Sequence, residues 1–199
     1  MATTATAHAA TDEIASLPEI PLGRAGMWWF LSSEVMVFGA ILGVFCLMRF
    51  ANGGWHAEMS HVNTRLAAVN TFLLLTSSYT VVEAYAATLA KNRKRAQLFL
   101  FVTVAFGVAF LVNKGIEYSG EFGHGIYPSS GLFWSFYFLA TGLHGLHVFG
   151  GVIANLLVAL AANNASTWAK VEQRVEYVGL YWHFVDLVWI FLFPLIYLS

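Results

Sequence analysis

Five stretches, each long enough to cross a bilayer as a helix, dominate this chain: residues 27–48, 66–90, 96–118, 131–162 and 177–198 are almost wholly apolar. Hydrocarbon about 30 Å thick needs about 20 such residues at 1.5 Å per residue. In lipid every backbone polar group must find a partner within the segment, so each run is expected to be helical. The alternative, a soluble bundle of buried helices, would show charged faces, and no run has one. The fold class expected is therefore all-α, a polytopic membrane bundle of five transmembrane helices. Composition agrees, with 58% hydrophobic and 11% charged residues against about 45–50% and about 25% in soluble domains.

Function classes fall away on the same numbers. A net charge of −1 offers no basic footprint for nucleic acid. The single cysteine, Cys46, cannot form an internal disulfide, a thiolate zinc site or a two-cysteine copper centre. Residues 1–25, with Thr3, Thr4, Asp12, Glu13, Pro18 and Pro21, read as a mobile polar tail ahead of a transmembrane domain at 26–199. They lack the basic start, apolar stretch and cleavage site of a secretory signal, so the first span is expected to be retained.

Basic residues concentrate on the cytoplasmic side of bacterial membranes. With the amino terminus inside, seven (Arg24, Lys91, Arg93, Lys94, Arg95, Lys170 and Arg174) face inward, and Arg49, Arg65 and Lys114 outward. The expected topology is amino terminus inside and carboxyl terminus outside. The run Lys91, Arg93, Lys94 and Arg95 dominates this asymmetry and is also a candidate lipid-headgroup site. Tryptophans 28, 29, 55, 134, 168, 182 and 189 lie mostly near expected span ends, the interfacial position. Gly39 with Gly43, Gly142 with Gly145, and Gly150 with Ala154 are candidates for close helix approach.

Ionisable groups within the spans carry the functional information, because each is costly in hydrocarbon unless paired, neutral or in use. Glu34 falls near the bilayer midplane, about 12 Å along its helix from Gly26. A buried acid favours its neutral form, with Ser32 and Ser33 as nearby partners; a functional, proton-accessible carboxyl is the other reading. Glu117 and Tyr118 close the third span, and His144 and His147 lie three residues apart on the fourth. A Glu117 to histidine bond between these helices is expected; a metal site would need a third ligand. His183 and Asp186, again three apart, read as a local pair, an interhelical clasp or part of a proton relay. No catalytic residue and no metal site is assigned. The chain lacks the Cys-x-x-Cys-His of covalent haem, the many histidines of a haem-copper centre, phosphate loops and nucleophile elbows.

Several segments in order carry a resemblance: Ser-Glu-Val-Met-Val-Phe at 33–38, Asn-Thr-Phe-Leu-Leu-Leu-Thr-Ser-Ser at 70–78, Glu-Tyr at 117–118, Ala-Thr-Gly-Leu-His-Gly-Leu-His-Val at 140–148 and Tyr-Trp-His-Phe-Val-Asp-Leu-Val-Trp at 181–189. From residue 26 to the end the chain resembles subunit III of the haem-copper respiratory oxidases in its short, five-span form. The resemblance implies a non-catalytic subunit packed on subunit I, with subunit II and other respiratory subunits as further partners. It implies that haem and copper reside in those partners, with phospholipid bound by this chain. Glu34 matches the family's buried carboxyl that reacts with carbodiimide. Support of proton uptake and protection during turnover, in a bacterial cytoplasmic membrane, are further implications. Longer members carry two additional leading helices forming a lipid cleft; the 26-residue tail here is expected to be too short to span even once, and Glu83 receives no role. Quinol-oxidising members tend to have Ser-Asp where Ser33-Glu34 stands, which favours an aa3-type cytochrome c oxidase. A quinol oxidase, a nitric-oxide-reductase-associated relative and an independent proton or cation carrier are the alternatives.

Overall fold

The computed structural model describes residues 22–59, 61–163 and 168–198; the tail expected at the amino terminus lies outside them up to residue 21. Five long helices and one short one follow in order: α1 (Leu22–Ala51), α2 (His56–Met59), α3 (Thr64–Leu89), α4 (Arg93–Gly123), α5 (Leu132–Ala161) and α6 (Trp168–Phe193), which widens into a π segment over Pro194–Leu198. All five long helices are long and apolar enough to span a membrane, and no strand occurs among the described residues. The first span starts at Leu22, inside the region expected as tail, and the last at Trp168, upstream of the run at 177–198. Both extensions carry polar residues, including Arg24 and Glu172, that a hydropathy reading trims away.

The bundle inverts the soluble pattern. Asn70, Ser77, Thr80 and Thr88 of α3 are buried, while Trp29 (80% exposed), Met36 (78%) and Phe50 (85%) of α1 point outward. Lipid is as apolar as leucine, so packing and interhelical hydrogen bonds, rather than water exclusion, decide the inner faces. Thr80 meets Thr103 at 2.7 Å, Asn113 donates to Asn70 at 2.9 Å, and the indoles of Trp182 and Trp189 donate to Ser77 and Thr71 at 2.9 Å.

Trp182 and Trp189 are thus core residues, so the interfacial position expected for most of the tryptophans does not apply to them. Around Trp182 two glycines make room. A methyl on Gly107 would lie 2.5 Å from Val152 and 2.8 Å from Trp182, and one on Gly151 would lie 2.6 Å from Trp182. Of the glycines expected to serve this purpose, Gly39, Gly43 and Gly145 face open space, while a methyl on Gly142 or Gly150 would lie at ordinary contact distance, 3.6 Å, from the Tyr118 or Tyr181 hydroxyl.

α3 and α4 form a hairpin closed by a three-residue turn. Asn92 N–H returns to Ala87 and Lys91 N–H to Thr88, both at 2.9 Å, the pattern of a helix end with one left-handed residue. That residue is Lys91, at φ 55°. The Asn92 side chain then caps α4 by accepting from Arg95 N–H at 3.1 Å. α1 is the least enclosed long helix. Its buried residues, Leu31, Phe38 and Phe45, recur every seventh position as one narrow stripe against α5 and α6.

Candidate functional site

Near the middles of α1 and α5, Glu34 and His147 meet across the helix interface, with Nε2 to Oε2 at 3.1 Å. The other imidazole nitrogen, Nδ1, lies 2.9 Å from the Leu143 carbonyl. A carbonyl only accepts, so Nδ1 carries a hydrogen. One proton must then lie between Nε2 and the carboxyl group, either on the acid donating to a neutral ring or on an imidazolium donating to a carboxylate. The pair has no net charge in both forms, which reconciles a carboxyl group with the membrane interior. Phe38 packs edge-on to the ring at 5.2 Å, and Tyr181 donates to the His147 carbonyl at 2.9 Å. The serines expected to satisfy Glu34 do not: the Ser33 hydroxyl donates to Phe30 O at 2.7 Å, the usual local bond of a helical serine.

Glu117 does not bond to a histidine. The His147 ring turns towards α1, and Glu117 instead sits in a polar knot near the other end of α4. Lys114 Nζ donates to Glu117 Oε2 at 3.0 Å and to the Tyr197 hydroxyl at 2.8 Å. Glu117 Oε1 accepts from Tyr137 at 2.6 Å and Tyr197 at 2.7 Å. The rings of Tyr118, Tyr137, Trp189 and Tyr197 surround the ammonium at 5.0 to 5.8 Å. Such rings attract a cation through their negative faces. The Lys114 and Glu117 spacing of three was visible in sequence; Tyr137 and Tyr197 come from other helices. Tyr197 belongs to the π segment that starts at Pro194. Proline has no N–H for an α-type bond, so the wider turn begins there.

The remaining candidates separate. Tyr118 pairs with the Thr141 hydroxyl at 2.6 Å. His144 is fully buried between Phe110 and Trp189, with neither ring nitrogen hydrogen-bonded among the described residues. His183 does not pair with Asp186: its Nδ1 meets Ser78 at 2.8 Å, and the Asp186 carboxyl lies near the same Ser78 side chain without a hydrogen bond of ordinary geometry among the described residues. Three residues of the basic run are already engaged. Lys91 pairs with Glu172 and Arg95 with Glu83, both at 2.7 Å, and Arg93 donates to the Asn163 carbonyl. Arg24 pairs with Glu176 at the same end. Those carboxylates neutralise charge that a lipid phosphate would otherwise use, leaving Lys94 as the member of the run without a partner among the described residues.

Comparison with known proteins gives this arrangement its context. The family description "Cytochrome c oxidase subunit III" matches residues 20–199. A probable cytochrome c oxidase subunit 3 of Nocardia farcinica is 33% identical over 95% of this chain and 94% of its own length. A cytochrome c oxidase subunit 3 of Alkalihalophilus pseudofirmus is 33% identical over 87% of this chain and 84% of its own. A probable quinol oxidase subunit 3 of Staphylococcus epidermidis is 28% identical, covering 89% of both. With five membrane-capable helices and a match that takes in all of them, the chain belongs to the cytochrome c oxidase subunit III family.

Proposed function

We propose that this chain is the non-catalytic subunit III of a bacterial aa3-type cytochrome c oxidase, packed on subunit I in the cytoplasmic membrane with its amino terminus inside. Its work is indirect: it holds helix packing, and the lipid around it, in the form that keeps proton uptake by subunit I supplied and the oxidase stable in turnover. The observation that carries this is the Glu34 and His147 pair, a net-neutral carboxyl group at mid-helix on the weakly enclosed α1. A carboxyl group that shares a proton in apolar surroundings is the species a hydrophobic carbodiimide attacks.

Haem and copper belong to partner subunits in this scheme, because the residues here do not suit them. The His147 nitrogens are engaged by Leu143 and Glu34, and the His144 ring is enclosed by Phe110 and Trp189. Cytochrome c rather than quinol is favoured as donor by Glu34 following Ser33, although relatives of both kinds are similar to this chain.

Mild extraction should yield this chain with a haemoprotein whose absorption bands co-migrate with it. Glu34→Gln should preserve that assembly and abolish carbodiimide labelling of this chain. A colourless, self-contained oligomer would support an independent proton carrier instead, and labelling that survives Glu34→Gln would remove the assigned role of the carboxyl.

A further inference from the structure

At the end of the bundle opposite the ion pairs of Lys91 and Arg95, a pocket of about 280 Å³ opens beside the carboxyl-terminal end of α4. His61, Asn63, Glu117, Glu121 and His124 supply its polar lining. The charges within it do not balance. Lys114 is consumed by Glu117 and the two tyrosine hydroxyls, and both Glu117 oxygens are engaged in return. Glu121 is only 6% exposed, yet its side chain makes no hydrogen bond or ion pair among the described residues. Its carboxyl group lines the pocket, so a cation that entered there would meet an acid with no counter-charge of its own.

Three further features set the kind of partner. The last carbonyls of α4, including those of Gly120 and Glu121 that accept from His124 N–H at 3.1 Å, add the partial negative charge of a helix carboxyl terminus. The Asn63 carboxamide oxygen accepts from Leu66 N–H at 3.1 Å, so that amide at the start of α3 is already satisfied. No three His, Cys, Asp or Glu side chains among the described residues come close enough to share a metal ion. The volume falls just below the about 300–1,000 Å³ of small-molecule sites and suits one inserted side chain.

We propose that this socket receives a lysine or arginine side chain from an extramembrane segment of a neighbouring subunit, its cationic head paired with Glu121 and flanked by His61 and His124. The assignment builds on membership of an oxidase complex and adds a specific contact to it. Glu121 is the positioning partner, with the His61 and His124 rings beside it in the pocket lining.

The test uses the purified complex with photoreactive benzoylphenylalanine at His124. Irradiation should join this chain to a peptide of another subunit that carries Lys or Arg within a few residues of the adduct. Glu121→Gln should weaken retention of this chain in the complex on salt washing by on the order of tenfold or more. Glu121→Lys combined with Glu at the crosslinked partner position should restore it. Adducts only to lipid, to a second copy or within this chain would overturn the contact, as would unchanged retention of the Glu121→Gln complex. A haem-free preparation would instead overturn the oxidase assignment, so the two failures are distinguishable.

Discussion

Removing one member of the Lys114 and Glu117 pair should cost far more than removing both. Their side chains are 7% and 1% exposed, so a change at one position strands the other in a site with almost no water. Breaking such a pair costs about 3–5 kcal/mol, whereas replacing both members by uncharged residues of similar volume is often near neutral. Lys114→Met keeps an apolar, polarisable chain among four aromatic rings but leaves the carboxylate facing two tyrosine hydroxyls alone. Glu117→Gln keeps an oxygen for Tyr137 and Tyr197 but leaves the ammonium without a counter-charge. Each single change is expected to cost roughly 3–5 kcal/mol and the double change less than about 2, a coupling of at least about 4 kcal/mol. Reversible unfolding in mixed micelles, followed by tryptophan fluorescence, measures this, and Trp189 lies 5.8 Å from the ammonium as a local reporter. Single costs that add within about 0.5 kcal/mol would show that the two groups do not interact, and the cage would then be packing alone.

Three further changes probe other parts of the bundle. His147→Leu strands Glu34 and should lower the unfolding free energy by about 1–3 kcal/mol, with partial recovery in His147→Gln; an unchanged transition would remove the pair as a clasp. Gly151→Ala, whose new methyl would lie 2.6 Å from Trp182, should cost about 1–3 kcal/mol, while Gly145→Ala, with open space around it, should be silent in the same assay. Lys91→Gly should be tolerated because the ion pair it removes is exposed and worth at most about 1 kcal/mol, whereas Lys91→Val should lower stability by about 1–2 kcal/mol at a left-handed position; equal transitions for the two would contradict the turn.

The spans were legible because length and apolarity are local properties that the bilayer converts directly into helices. Partners were not, because they depend on which helices adjoin. Ser32 and Ser33 were near Glu34 in sequence, but a helical serine finds its own backbone, and the acid reached across to His147. Likewise His144 and His147 share a helix but not an environment: one is sealed among aromatics and the other meets α1. Lys114 and Glu117 had a usable signal in their spacing, yet Tyr197 reaches them through a π turn that spacing alone would not place. Small residues were misjudged for the same reason. Repeated glycines suggested contact surfaces, but the tightest approaches are those of Gly107 and Gly151, at the Trp182 ring and Val152.

The clasp between α1 and α5 has an electrical consequence. The proton it holds can move by only on the order of 1 Å along a hydrogen bond, and the full membrane potential does about 2.3 kcal/mol of work per charge and 100 mV across about 30 Å of hydrocarbon. Such a displacement therefore feels less than about 0.1 kcal/mol per 100 mV. A voltage across the membrane leaves that proton where packing puts it, so α1 is held equally firmly with or without a potential.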